Sequence, residues 1–558
     1  MKKIFAAFIG FILSMMMISS SMPSSAAKKA LDQSDFVHAH GSCVIGTDGK
    51  KLLIKGMALG NSVYANPAVP NLRHHTQEAY KELSELGFNS VRFYINYGLF
   101  EDDRTPYKYK QSGFDWLDKN IKWAKKYNMG IILNMHCPQG GYQSSGGGMA
   151  LWTDKNNQKR LTALWKEIAK RYADEPTVWG YGLINEPYVP MLDTMEETAK
   201  QYFDYAESLV KEIRSISPYQ AIFVERLGNA KDTAGNRSTD WEWFTPQNTF
   251  PKIDDDNIIY EFHCYDPFHF THQNAEWAGT SGITMSYPSD EVTEADYENG
   301  WVSCISADPV KTENSWTYFE SKPQTVTSRY NIVFPALSAR KTDTGGTAYF
   351  DDITVTLTSS NGTETVLCSY DFETGTAGMS KWSADGTGSM SVSENGRNGG
   401  KCAVISGTDT AVTLSGKHFA MKKGYSYRVS GYAKSENVSC APEIRLDFAK
   451  ASDFSTFNKD YLDSVIKPYA DYSEKYNVPL YMGEFGVISE GFKEGRNGTE
   501  WVSDMIEICT EYRIGFNYHT YHETSFGYYG NTDTELPSHK NKALGELFKK
   551  ALKSEEEH

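Results

Sequence analysis

The chain has 558 residues, of which 40% are hydrophobic, 23% charged and 13% aromatic. That excludes bulk disorder and small disulfide scaffolds, and leaves room for an α/β barrel of about 250 to 300 residues plus a further domain. The formal net charge of -15 would repel a phosphate backbone or anionic lipid, so no nucleic acid and no membrane partner is expected.

At the N-terminus, Lys2 and Lys3 precede an apolar stretch from Ile4 to Ile18 and the small residues Ser25, Ala26 and Ala27. This is the pattern of a signal peptide over residues 1–27, and it predicts a secreted, extracellular chain that starts near Lys28. The apolar stretch falls short of the roughly 20 residues that span a bilayer. The eight cysteines are scattered without CxxC spacing, which argues against a zinc cluster and reads most of them as small buried hydrophobes.

Over residues 28–288, short β-branched and aromatic runs alternate with segments of helical period. The predicted strands are Lys55 to Gly60, Ser90 to Tyr97, Gly130 to His136, Trp179 to Glu186, Ala221 to Leu227 and Ile258 to Tyr265. The predicted helices are Gln77 to Leu86, Phe114 to Tyr127, Lys159 to Tyr172 and Thr194 to Ile213. From 289 to 453 the texture changes to Thr, Ser and Gly with period-two apolar runs, which predicts an antiparallel β-sandwich. The first pattern resumes over 454–558, with strands at Val478 to Glu484 and Gly515 to Tyr521. Six strands and two make the expected fold class α/β: a (β/α)8 TIM barrel with an inserted all-β sandwich, a jelly roll, between strands 6 and 7.

Chemistry in such a barrel sits at the C-terminal strand ends, so an acid closing a buried apolar strand is a catalytic candidate. Glu186 closes strand four in Asn185-Glu186-Pro187, and Glu484 closes strand seven in Gly483-Glu484-Phe485-Gly486. Two carboxylates facing one another across a pocket are the minimal equipment for glycoside hydrolysis.

With His263-x-Tyr265, Arg92 on strand two and His136 ending strand three, these motifs resemble glycoside hydrolase family 5, the cellulase family, over about Phe36 to Tyr287 and Phe454 to Leu552. The resemblance implies Glu186 as general acid/base and Glu484 as nucleophile of a retaining reaction, their carboxyls about 5 to 5.5 Å apart. It further implies that Arg92 and Tyr265 keep Glu484 ionised and that Asn185 donates to the sugar 2-hydroxyl. His136 and His263 hydrogen-bond sugar hydroxyls or orient Glu186. Glu186 is expected in a drier setting, its pKa raised by its partner's charge. The bland alternatives are a structural ion-pair role for Arg92, core histidines at 136 and 263, and simple packing for Tyr265.

Sugar faces lie on aromatic rings, and Trp152, Trp241, Trp243 and Trp277 border the expected cleft or fill the core. One departure concerns strand eight, where the family carries a Trp platform and this chain has His519, given the register as read. The insert resembles carbohydrate-binding modules of families 4 and 9 with its halves exchanged: Phe350-Asp351-Asp352-Ile353 precedes Asp371-Phe372-Glu373, joined by Ser359 to Gly362. Asp352 and Glu373 are expected side by side, where oxygen ligands would suit a structural calcium ion. Trp316 and Trp382 either contact glycan or fill the core.

The expectation is a secreted, monomeric, retaining endo-β-1,4-glucanase acting on β-glucan polysaccharide or oligosaccharide, with no cofactor for catalysis. The alternatives are the same chemistry on mannan, xyloglucan or β-1,3-glucan, and a non-catalytic glycan-binding protein.

Overall fold

The computed structural model describes residues 30–60, 73–306, 314–340, 346–373, 375, 379–381, 389–406, 412–436, 441–532 and 535–553. The signal-like segment 1–27 and Trp382 lie outside the described residues.

Eight parallel strands close into a barrel: β1 (Lys55–Leu59), β2 (Ser90–Asn96), β3 (Gly130–Cys137), β4 (Val178–Gly182), β5 (Ala221–Glu225), β6 (Ile258–His263), β7 (Leu480–Phe485) and β8 (Gly515–Tyr518), the last pairing with β1. The barrel helices include α1 (Gln77–Leu86), α2 (Gln111–Lys126), α3 (Lys155–Tyr172), α4 (Met195–Arg214), α5 (Lys459–Tyr476), α6 (Gly498–Glu511) and α7 (Lys542–Lys553).

Local signals explain these bounds. In α1 the Thr76 side chain accepts from the Ala79 N–H, and Gly87 ends the helix at φ +102°, a left-handed conformation that costs glycine little. Its apolar face, Ala79, Tyr80, Leu83 and Leu86, is buried, each large side chain contributing about 1.5–3 kcal/mol. In α4, Glu196 and Glu197 lie in the first turn and Lys211 and Arg214 in the last, matching the helix dipole. The floor of the barrel is plugged from below, where Val37, Ala39 and Val44 of an N-terminal hairpin pack on Ile132, Phe223, Ile259 and Tyr481.

Several predicted strands end early: β5 at Glu225, β6 at His263, β8 at Tyr518 and, by the widest margin, β4. β4 ends at Gly182; the Leu183 and Asn185 N–H groups still reach the Phe223 and Met135 carbonyls, and at Glu186 the chain leaves the ladder, its N–H donating to Glu225 Oε2 at 2.8 Å with φ +42°.

Between β6 and β7 lie two antiparallel sheets around a shared apolar core that includes Val333, Phe350, Ile353, Val429 and Leu446. The first and last strands of this insert, Val292–Ser306 and Ala441–Thr456, pair with one another. Its two ends therefore leave the barrel side by side, which is the geometry that lets a loop accept a domain. The Ser359 to Gly362 segment is a tight turn of a hairpin pairing Thr347–Thr358 with Glu364–Tyr370.

The calcium expectation does not fit the donors present. Asp352 Oδ2 is taken by the Arg397 guanidinium, 2.9 Å from its Nε, and Glu373 Oε1 accepts the Lys401 N–H at 2.9 Å. A cationic side chain already balances the carboxylate that was to hold the ion. Trp316 packs against Tyr349, Cys402 and Val404 as part of a small core. Cys137, Cys264, Cys402 and Cys509 are buried thiols, as the small-hydrophobe reading expects. Among the described residues no helix is long and apolar enough to cross a membrane.

Candidate active site

A cleft of about 830 Å³ opens at the C-terminal ends of the strands, lined by Glu186, Glu225, His263, Tyr265, Glu484 and His519 among others. Glu484 reaches it through an irregularity. In a regular strand, alternate residues share a face, so with Tyr481 facing the barrel interior Gly483 would follow it and Glu484 would point away. The ladder shifts register between Phe262 and His263, and Glu484 comes to pair with His263. The bulge re-aims the carboxylate into the mouth. Gly483 is glycine for a steric reason, since a Cβ there would meet the Glu261 carboxylate.

Three donors converge on Glu484. Arg92 Nη1 and the Tyr94 hydroxyl each stand 2.8 Å from Oε1, and the Tyr265 hydroxyl donates to Oε2 at 2.9 Å. Burial pushes this carboxyl up, but the charges of His263, His519 and Arg92 outweigh it and hold the group well below the usual carboxylate range. Glu484 is therefore ionised. Arg92, completely buried, also donates from Nη2 to Asn185 Oδ1 at 2.9 Å and ion-pairs with Glu261 at 2.8 Å. Asn185 is thus oriented by the same guanidinium, and its Nδ2 faces Ser144 Oγ at 3.5 Å.

Glu186 Oε1 lies 2.9 Å from His263 Nδ1, and the same nitrogen lies 3.7 Å from Glu484 Oε2. Burial raises the Glu186 carboxyl, but the His263 hydrogen bond and charge lower it more, so in the ligand-free site it sits below its ordinary value. The expected raised carboxyl is not found here because a cationic partner stands against it. His263 is held well above the usual imidazole range: burial opposes its charge, but Glu225, Glu484 and Glu186 favour it. Behind it, burial together with Glu261 and Glu186 pushes Glu225 up to about 8.

His136 is buried and lies behind the site. Its ring stacks on Tyr94 at 3.9 Å, its Nδ1 contacts Asn134 Oδ1 at 3.0 Å, and burial holds it well below the imidazole range. His519 does enter the cleft, and Tyr521, two residues on, turns to Glu82 instead. The tryptophans divide. Trp152 is buried, its Nε1 bonded to Gln143 Oε1 at 2.8 Å and its ring against Tyr202 and Tyr205, so it braces the scaffold rather than the sugar. Trp243 is tied to Glu196 at 3.0 Å, and Trp241 is exposed beside Phe244; neither is among the cleft-lining residues, whereas Trp277 is.

Sequence reasoning missed Tyr94, Glu225, Glu261 and Glu523. Glu225 closes a buried apolar strand in the structure, but the sequence reading runs that strand on to Leu227 and so hides the acid inside it. Glu186, Glu225 and His263 each offer a ligand atom, all within 4.8 Å of one another, but His263 is held in its charged form, which cannot ligate a cation, and it already pairs with both acids, with Arg92 3.9 Å from Glu225.

Residues 46–316 match the family model described as Cellulase (glycosyl hydrolase family 5). Over those residues the chain is similar to that family. The match ends inside the insert, before Glu484. Endoglucanase C of Acetivibrio thermocellus is 31% identical over 217 residues, 38% of this chain and 57% of that protein. Cellodextrinase A of Ruminococcus flavefaciens is 26% identical over 266 residues, 46% of this chain and 71% of that protein. The crystal structure of endoglucanase Cel5A from Thermotoga maritima superposes with a TM-score of 0.47 at 18% identity, covering 88% of this chain and 96% of that one. The chain spans 57% of the length of the endoglucanase C that it matches.

Proposed function

We propose that the protein is a secreted glycoside hydrolase that cleaves internal β-1,4-glucosidic bonds of cellulose or related β-glucans with retention of anomeric configuration. One observation carries the reading. His263 Nδ1 touches Glu186 at 2.9 Å and Glu484 at 3.7 Å, so those two oxygens are no farther apart than the two contacts laid end to end. Such a gap suits direct attack by a carboxylate, which wants about 5 to 5.5 Å, better than the wider separation that admits a water between sugar and base.

In the first step a Glu484 oxygen attacks the anomeric carbon, the bond to the leaving oxygen breaks, and that oxygen takes a proton from Glu186. In the second, water attacks the same carbon, Glu186 takes its proton, and the ester to Glu484 breaks. The low pKa of ligand-free Glu186 is reconciled with the acid role by His263. A bound sugar that excludes water destabilises the Glu186–His263 ion pair, and the neutral arrangement, with the shared proton on Glu186, is then favoured. Conversion of Glu484 to an ester also removes an anion that favours charged His263 and raises Glu186.

The names of the relatives support β-1,4-glucan. His519 in the place of the family's Trp favours keeping mannan, xyloglucan and β-1,3-glucan as second readings. The pattern over residues 1–27 supports export, and we infer a glycan-contacting or cleft-shaping role for the insert. The test is reducing-end release by the purified chain on a panel of these polysaccharides, with NMR of the first-formed anomer. The expected product keeps the β configuration, and Glu484→Gln abolishes turnover while substrate still binds. An inverted product, or an active Glu484→Gln variant, overturns the assignment.

A further inference from the structure

Of the three donors on Glu484, Arg92 and Tyr265 are expected from the sequence and the third, Tyr94, has no assigned role. Tyr94 follows Arg92 by two residues on β2 and shares its face of the strand. Its hydroxyl stands 2.8 Å from Glu484 Oε1 and 2.9 Å from His519 Nδ1. On the far side of that ring, His519 Nε2 lies 3.5 Å from Glu523 Oε2. Glu484, Tyr94, His519 and Glu523 thus form a polar chain that begins at the carboxylate and ends on the cleft wall. The stacked His136 ring fixes Tyr94 from behind, at 3.9 Å and 16°.

A tyrosine hydroxyl carries one proton. To donate it to Glu484, the hydroxyl must accept at its oxygen from His519, so His519 Nδ1 must carry hydrogen. Neutral His519 has a single N–H for two neighbours. If Glu523 draws that hydrogen to Nε2, the bare Nδ1 accepts the Tyr94 proton and takes it from Glu484. Imidazolium alone serves both sides.

We propose that Tyr94, His519 and Glu523 are a proton-dependent positioning arm on the nucleophile, in which protonated His519 turns the Tyr94 hydroxyl toward Glu484 and neutral His519 turns it away. The arm rests on the reading of Glu484 as nucleophile. Of the groups that face His519, Arg92 opposes its charge, the buried His136 and His272 are held below the usual imidazole range and stand beside it uncharged, and Glu484 and Glu523 favour its charge. Burial also opposes the charge, yet the acids prevail and hold the ring above its ordinary value. Glu484 therefore has three donors below the pH at which His519 loses its proton and two above it.

The test uses the full chain and 2,4-dinitrophenyl β-cellobioside. This leaving group departs without a proton from Glu186, so kcat/KM reports attack by Glu484. Wild type is expected to fall to a plateau about 10- to 100-fold lower on the alkaline side, the worth of one hydrogen bond to a charged group. Tyr94→Phe is expected to sit at the lower plateau at every pH, without the step. Glu523→Gln is expected to move the step to lower pH, and His519→Gln, whose amide donates but does not titrate, to remove it. A Tyr94→Phe enzyme with the wild-type rate and step overturns the arm, as does an unmoved step in Glu523→Gln if Tyr94→Phe does not fold. A wild-type chain that leaves the glycoside intact overturns the reading of the site itself, and the arm with it.

Discussion

Gly483 and Glu261 meet so closely that a Cβ on the first would lie 1.8 Å from Oε1 of the second. The contact couples the bulge that turns Glu484 inward to the acid that balances Arg92. Gly483→Ala must therefore displace the Glu261 carboxylate and disturb its 2.8 Å ion pair with Arg92. The expected loss is about 2–4 kcal/mol of folding stability, as for overpacking combined with a weakened buried pair. Urea unfolding measures it, and turnover should fall in parallel because Arg92 also orients Glu484.

Arg92 is the counter-ion for two buried acids, Glu261 and Glu484. Arg92→Met removes the guanidinium from both, leaving Glu484 its two tyrosine hydroxyls and each acid His263 at 3.7 Å, and breaking a buried pair in this way costs about 3–5 kcal/mol. Arg92→Lys is expected to recover little of it. One ammonium cannot reproduce the fork that reaches Glu484 from Nη1 and Asn185 and Glu261 from Nη2. Chemical denaturation of the two variants, compared with their turnover, checks both statements.

Much of this arrangement was legible in the sequence because it follows from periodicity and strand ends. Eight strands and the insert come from patterns that local chain geometry imposes, and Glu186 and Glu484 from their place at strand ends, whereas Arg92, His263 and Tyr265 come from the resemblance to glycoside hydrolase family 5. What was not legible depends on packing between strands. The bulge at Gly483 is set by Glu261 across the barrel, and the lowered pKa of Glu186 by a histidine 77 residues away in sequence. Trp152 reads in the chain as either core or sugar platform, and the Gln143 side chain and two tyrosines that claim its edges make it core. In the insert, Asp352 reads as a calcium ligand until Arg397 folds onto it.

Glu225 gives a prediction with a definite sign. Folding raises its pKa from 4.5 to about 8, chiefly through burial. A group raised by folding contributes stability that is fully present below its unfolded value and is lost as pH rises through its folded one. Glu225→Gln keeps an oxygen for the Glu186 N–H and has no such dependence. The melting temperature of the variant relative to wild type should therefore climb between pH 4.5 and about 8 and stay level above. Thermal unfolding across that range measures it, and a constant offset would remove Glu225 from the set of buried neutral acids.

Glu186→Gln separates the acid role from the rest of the site by leaving group. On polysaccharide the departing sugar oxygen needs a proton, and removing its donor is expected to lower turnover about 10²- to 10⁴-fold. On 2,4-dinitrophenyl β-cellobioside the first step needs none, so the pre-steady-state burst of dinitrophenol should keep nearly the wild-type rate. Hydrolysis of the glycosyl enzyme then slows, because no base activates the water. The burst should therefore be followed by a much slower steady state, and added azide, which needs no base, should restore turnover by forming a β-glycosyl azide. A variant slowed equally on both substrates in the burst phase would mean that Glu186 shapes the site without supplying the proton.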